Sequence, residues 1–122
     1  MTIMTPTKPK YKRGDVVLVI FPHSDLRTAK LRPALIVQAD NLQTELAQVI
    51  VAMISSHLHR GNHPSRVIYN LNTPAGLQSG LRTHSVIMTD NIATISDVAI
   101  ERVIGHLHME PIDRALRHTL NL

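Results

Sequence analysis

Val16-Val17-Leu18-Val19-Ile20-Phe21 and, beyond a polar segment, Ala34-Leu35-Ile36-Val37-Gln38 are the two stretches that decide the fold. Each is far shorter than the roughly 20 apolar residues of a membrane span, and each is bounded by turn-forming or charged residues. Both therefore read as buried β-strands. Gln48–Ile54, Arg66–Tyr69 and Ser85–Thr89 repeat the pattern, and Ile92–Ile95 adds a short strand. The five main runs begin 14 to 19 residues apart, and most are almost continuously apolar. That combination predicts a mainly β domain, a small antiparallel barrel with long loops and strands covered on both faces.

Near its end the chain changes period. Ile112, Ala115, Leu116, Thr119 and Leu120 share one helical face. Pro111 suits a first turn, where its missing N–H costs nothing, while Asp113 early and Arg117 and His118 late complement the helix dipole. A shorter helix is expected over Ser96–Val103, capped by Ser96. Residues 1–12, with three threonines, two prolines and three lysines, read as a loose basic arm. Residues 13–122, starting at Arg13-Gly14-Asp15, read as one domain without internal repeats.

A chain of 122 residues with 43% apolar and 18% charged residues can bury one core, which excludes a disordered protein. The absence of cysteine excludes disulfides and thiol chemistry. With no secretory h-region in the N-terminal stretch, a cytoplasmic location and no membrane association are expected. The net charge of +4 comes from Lys8, Lys10, Lys12 and Arg13; the remaining 9 basic and 9 acidic residues cancel. Net charge is thus weak evidence for a polyanionic partner. Tyr11, Phe21 and Tyr69 are the only aromatic residues, too few for a base-stacking platform. Any nucleic-acid contact must run through arginines, hydroxyls, amides and backbone groups.

Four places could carry chemistry. The segment Pro22–Pro33, with His23, Arg27, Lys30 and Arg32, is polar and cationic, as suits a binding loop on a rigid scaffold. Arg32, expected at the entrance of a strand, could stabilise charge on a phosphate; the ordinary alternative is a surface arginine paired with Asp25 or Asp15. Ser55 and Ser56 end the third strand, where hydroxyls either donate to a phosphate or satisfy a turn. No Gly-x-Ser-x-Gly elbow surrounds them, so neither is a serine-hydrolase nucleophile. Asp90-Asn91 follows the strand Ser85–Thr89 and could orient an arginine, act as a base or form a turn. The histidines His57, His59 and His63, and the pair His106 and His108, could chelate zinc. Arg60-Gly61-Asn62 interrupts the first group and no carboxylate accompanies it, so no metal site and no cofactor are expected.

In their order, these segments resemble the MazF/PemK family of toxin ribonucleases. Arg13–Pro22 resembles the family's opening strand, and Leu31-Arg32-Pro33-Ala34-Leu35-Ile36-Val37 its Arg-Pro strand, the most specific match. Ala52-Met53-Ile54-Ser55-Ser56 is similar to the Ile-Thr-Ser strand end, and Gly80–Ile95 to the strand that closes the site. Ile104-Gly105-His106-Leu107 and the final helix also fall in place. The resemblance implies an SH3-like barrel of the MazF/PemK/CcdB type, a homodimer and an acidic antitoxin that covers the site. It further implies metal-independent, sequence-selective cleavage of single-stranded RNA through attack of a 2′-OH on the adjacent phosphate. By the same carry-over Arg32 and Ser55 are catalytic, with Ser55 where a threonine is usual, and Asp90 is the carboxylate near the scissile phosphate. His23, Arg27, Lys30, Ser56, Arg82 and His84 would bind RNA.

One departure concerns Met88, where some relatives have an arginine. Methionine neither donates a proton nor holds a phosphate, so Arg82 or His84, an imidazole being a side chain suited to proton transfer, is the expected substitute. Two other functions stay open: a CcdB-like gyrase poison, which shares the barrel, and a toxin-fold protein that only binds RNA or antitoxin. The Arg32-Pro33 and Ser55-Ser56 pairs belong to the ribonuclease branch.

Overall fold

The apolar run at Val16 forms the middle of β1 (Asp15–Pro22) in the computed structural model of the chain, which describes residues 11–22, 25 and 27–122. Most of the expected arm, residues 1–10, and His23 lie outside the described residues. Five further strands follow: β2 (Ala29–Ile36), β3 (Gln48–Ser55), β4 (Arg66–Tyr69), β5 (Ser85–Ser96) and β6 (Ile100–His106). All pair antiparallel in one sheet, in the order β4-β5-β3-β2-β1-β6. Two helices complete the chain, the short α1 (Pro74–Gln78) and the C-terminal α2 (Glu110–Leu120).

The continuous apolar runs are explained by two cores, one on each face of the curled sheet. Val16, Leu35, Ala52, Ile54 and Ile87 pack with Leu107 and with Ile112 of α2. The alternate residues Val17, Val19, Ala34, Ile36, Val49 and Val51 pack with Ile100 on the other face. Helix α2 starts with Pro111 in its first turn and ends on Asn121, which takes the left-handed conformation at φ 56°. Glu110 and Asp113 lie in its first turn and Arg117 and His118 in its last, as the dipole favours. Leu120, expected on the buried face, is exposed. Arg13 fastens this end, donating from Nε to the Val37 carbonyl at 3.0 Å and from Nη2 to Asp113 at 2.6 Å. No helix among the described residues is long and apolar enough to cross a membrane.

Three expectations need correction. The barrel is not closed by hydrogen bonds: β4 and β6 are the two edges of the sheet and do not pair with each other. The segment through α1 lies against β6 instead, with Gly80 (φ +71°) on the Ile104 carbonyl and Gly105 on the Ser79 carbonyl, so that a Cβ at either glycine would strike backbone. The helix expected over Ser96–Val103 is a single 3-10 turn, Asp97–Ala99, followed by β6, and the Ser96 side chain caps nothing. The reason is irregular pairing. Between β1 and β6 the register shifts twice, at Val16/Val17 and at Leu18/Val19, leaving Glu101 and Ile104 without partners in it. Such bulges break the alternation by which a strand is read. Finally, β2 begins at Ala29 rather than Ala34, so Arg32 lies within a strand and not at its entrance. Pro33 is tolerated there because β3 pairs with β2 only from Ala34 onwards.

Candidate functional site

Past Ala34 the strands β2 and β3 diverge, and a cleft of about 720 Å³ opens between their ends. Register explains what meets there. Ala34 faces Met53, so continuing the ladder would place Pro33 opposite Ile54 and Arg32 opposite Ser55. Both Arg32 and Ser55 line the cleft, as do Lys30, Ser56 and Arg82. Leu18, Pro33, Met53, Met88 and Ile104 supply apolar lining.

The side chains carry a one-sided charge. Lys30, Arg32, Arg60, Arg82 and Arg102 line the cleft, together with His57 and Asn91, and no aspartate or glutamate does. Five of the nine basic residues outside the N-terminal cluster thus gather at one place, where none of the nine acidic residues joins them. A neutral body with its cations sorted this way focuses positive potential on the cleft. Among the described residues the side chains of Arg32, Arg82 and Lys30 have no hydrogen bond or ion pair, whereas Arg102 holds Glu101 at 2.7 Å. Arg32 is therefore not the surface arginine paired with Asp25 or Asp15. Asp25 accepts from the Arg27 and Thr28 amides, chiefly Arg27, which holds its carboxyl below the ordinary value. Asp15 faces His106 at 3.1 Å.

Ser55 is half-buried, and its Oγ accepts from the His57 amide at 3.1 Å and, at 3.5 Å, from the Arg60 guanidinium. With two donors directed at its oxygen, the hydroxyl hydrogen of Ser55 has no acceptor among the described residues and is available to a bound anion.

Other predicted residues lie elsewhere. Asp90 follows Thr89 in the middle of β5, where the register with β3 jumps from Ala52↔Ile92 to Met53↔Met88. This bulge turns Asp90 away from the cleft lining and onto Arg66, which grips it at 2.8 Å and 3.3 Å. The bond from Arg66 holds the Asp90 carboxyl below its ordinary range, and the same bond raises the guanidinium. His84 does not line the cleft; its Nδ1 accepts the Leu71 amide at 2.9 Å, so a proton it offers must come from Nε2. Arg27 also lies outside the lining. The histidines separate: His57 and His59 face each other at 5.7 Å, while His63 sits beside His118 at 6.1 Å. No group of three or more potential metal ligands forms among the described residues.

Sequence reasoning missed Arg60, Arg102 and His57 as cleft residues. The signal for Arg102 was the pairing of β6 with β1, which sets it opposite Leu18. Arg60 and His57 belong to a turn that follows Ser55 and folds back over it.

Comparison with known proteins places this geometry in a family. The sequence profile of the PemK-like, MazF-like toxins of type II toxin–antitoxin systems matches residues 12–120. No curated protein matches the chain significantly in sequence. Among solved structures, the Mycobacterium tuberculosis toxin MazF-mt6 superposes with a TM-score of 0.68 at 23% identity, over 88% of this chain and 97% of that one. A mycobacterial endoribonuclease in complex with its cognate antitoxin gives 0.68 at 24% identity, over 92% and 96%. The toxin in the MazE–MazF structure from Deinococcus radiodurans gives 0.67 at 14% identity, over 95% and 98%. At these identities the likeness to solved structures is one of fold; the profile match is what assigns the family. On that match, which spans nearly the whole chain, the protein belongs to the PemK-like, MazF-like toxins of type II toxin–antitoxin systems.

Proposed function

We propose that this toxin is an endoribonuclease that cuts single-stranded RNA within the Arg32–Ser55 cleft, without a metal ion. The observation that carries the reading is the sorting of charge: five cations and no carboxylate line one cleft of a body whose charges cancel overall. A phosphodiester strand fits such a lining, and the absence of aromatic platforms favours contacts to phosphate and sugar over stacking.

The chemistry is attack of a ribose 2′-oxygen on the adjacent phosphorus. The P–O bond to the 5′-oxygen breaks, leaving a 2′,3′-cyclic phosphate and a 5′-OH. Charge builds on the non-bridging oxygens as the phosphorane forms, and fixed cations aimed there lower the barrier. Arg32, whose side chain has no partner among the described residues, supplies that charge, and the Ser55 hydroxyl donates to the same oxygens. Lys30, Ser56 and Arg82 hold the flanking strand; Arg27 and His84 would contact RNA further out, and His23, outside the described residues, is carried as a further RNA contact. Asp90 acts from outside the lining.

Growth inhibition would follow from loss of messenger RNA. An acidic antitoxin segment laid across the cleft would silence it through the same charges, and the family resemblance supports action as a homodimer. The mycobacterial endoribonuclease that shares the fold was solved with its antitoxin.

The test is incubation of the purified protein with long single-stranded RNA in excess EDTA, beside Arg32→Ala. Cuts ending in cyclic phosphate, reduced by at least about 100-fold in the variant, are expected. No cleavage of varied RNAs by folded wild type would overturn the ribonuclease reading, and inhibition of DNA supercoiling in its place would favour a gyrase poison.

A further inference from the structure

Asp90 lies outside the cleft, yet two arginines connect it to the Ser55 hydroxyl. Its carboxylate takes a fork of bonds from Arg66, Nη2 to Oδ2 at 2.8 Å and Nε to Oδ1 at 3.3 Å. The third nitrogen, Nη1, donates to the Arg60 carbonyl at 3.1 Å. Arg60 lies in the 3-10 turn Leu58–Gly61, its amide bonded to the His57 carbonyl at 3.0 Å, and its own Nη1 reaches Ser55 Oγ at 3.5 Å.

Every nitrogen of the Arg66 guanidinium is therefore engaged. The group is planar and rigid, so fixing one edge on a carboxylate fixes the direction of the remaining N–H. What it fixes is the backbone of Arg60, and with it the root of a side chain that enters the cleft. Lysine, a point charge without a fork, could not transmit that geometry.

The Arg60 side chain has no anionic partner among the described residues. Its contact to Ser55 is long and the hydroxyl is neutral, so the guanidinium keeps most of its donors and its full charge turned to the cleft. An alcohol is a weak ligand for such a group and a phosphate oxygen is a strong one.

We propose that Arg60 contacts a phosphate of the bound strand next to Ser55, and that Asp90 and Arg66 are positioning residues that hold Arg60 for that contact. The proposal rests on the reading of the cleft as an RNA site and adds a residue to it. On this reading Asp90 would influence a phosphate site without repelling its ligand. Asp90 is neutralised by Arg66 and faces away, and what reaches the cleft is the orientation of a cation.

The consequence is specific: Asp90 matters to binding only while Arg60 is present. The experiment measures affinity of the full chain for a mixed-sequence 2′-O-methyl RNA, which cannot be cut, over a range of salt concentrations. Arg60→Ala is expected to weaken binding about ten-fold and to flatten the logarithmic salt slope by about 0.7, one phosphate contact on a single strand. Arg60→Lys should restore the slope but only part of the affinity. Asp90→Asn and Arg66→Lys should each weaken binding about three- to five-fold, and the Asp90→Asn/Arg60→Ala double variant should match Arg60→Ala alone. Arg117→Ala, on α2, should change nothing, and thermal unfolding of each variant separates loss of fold from loss of contact. An unchanged slope in Arg60→Ala overturns the phosphate contact. An Asp90→Asn effect that persists in the Arg60→Ala background overturns the positioning role. Failure of wild type to bind overturns both this proposal and the function it rests on, whereas binding without an Arg60 effect overturns this proposal alone.

Discussion

The two ends of the sheet treat their charges in opposite ways. Under α2, Arg13 is bound to Asp113 and to a backbone carbonyl, over a core in which Leu35, Ile87, Leu107 and Ile112 are fully buried. At the cleft, Arg32 and Arg82 have no partner among the described residues, and the apolar lining is partly open to solvent. A paired arginine over a dense core contributes to folding. Several cations crowded together without acids repel one another, and in the absence of a ligand they contribute nothing favourable. The contrast separates residues kept for stability from residues kept for a ligand, a distinction that residue type alone does not make.

The contrast breaks most visibly at Ile112, which is fully buried beneath α2. Ile112→Ala should cost about 2–5 kcal/mol of stability, read by denaturant unfolding, because it removes buried methylenes and leaves a cavity. RNA cleavage per folded molecule should be unchanged. The mirror experiment is Ser55→Ala. Cleavage should drop about 100-fold while stability stays within about 0.5 kcal/mol, and Ser55→Thr should retain activity because it keeps the hydroxyl. A Ser55→Ala protein that is as active as wild type but less stable would mean that the hydroxyl only closes the turn with the His57 amide.

The smallest effect is expected at Asp90, on the border between the two regions. Its folded-state carboxyl is held below the ordinary value of 3.8 by Arg66, so the charged form is favoured by folding. Such a group stabilises the protein above its unfolded pKa, and that contribution is lost as pH falls through the folded value. Asp90→Asn should therefore be slightly less stable than wild type at neutral pH, with the difference vanishing as pH drops below about 3.8. A difference that does not shrink as pH falls below about 3.8 would show that the ion pair is not its source.

How much of this was legible in the sequence depended on period and partner. The starts of β3 and β5 and the whole of β4 fall where the apolar runs predict, because the runs are apolar and bounded by turn residues. Helix α2 was legible from its 3.6-residue spacing and Pro111. The runs Ser85–Thr89 and Ile92–Ile95 are one strand, bent at a bulge that the sequence shows only as a polar interruption. β6 was hidden by two register shifts against β1. In the candidate site, Arg32, Ser55 and Ser56 were found because they sit beside clear strands. Arg60 and Arg102 were not, since one depends on a turn folding back and the other on a strand that the pattern concealed. Asp90 was singled out beside a strand as a carboxylate that could orient an arginine, but its attachment to Arg66, 24 residues away in sequence, is a property of the folded chain.

The central claim is that the cluster of cations in the cleft is where RNA lies. Backbone amide chemical shifts of the full chain, recorded while titrating the uncleavable 2′-O-methyl RNA, test it most directly. Perturbations concentrated at Arg32, Ser55–Arg60 and Gly80–Thr83, with α2 unaffected, are the predicted result. Perturbations centred on α2 or on the loop Ala39–Leu46, with the cleft silent, would contradict it.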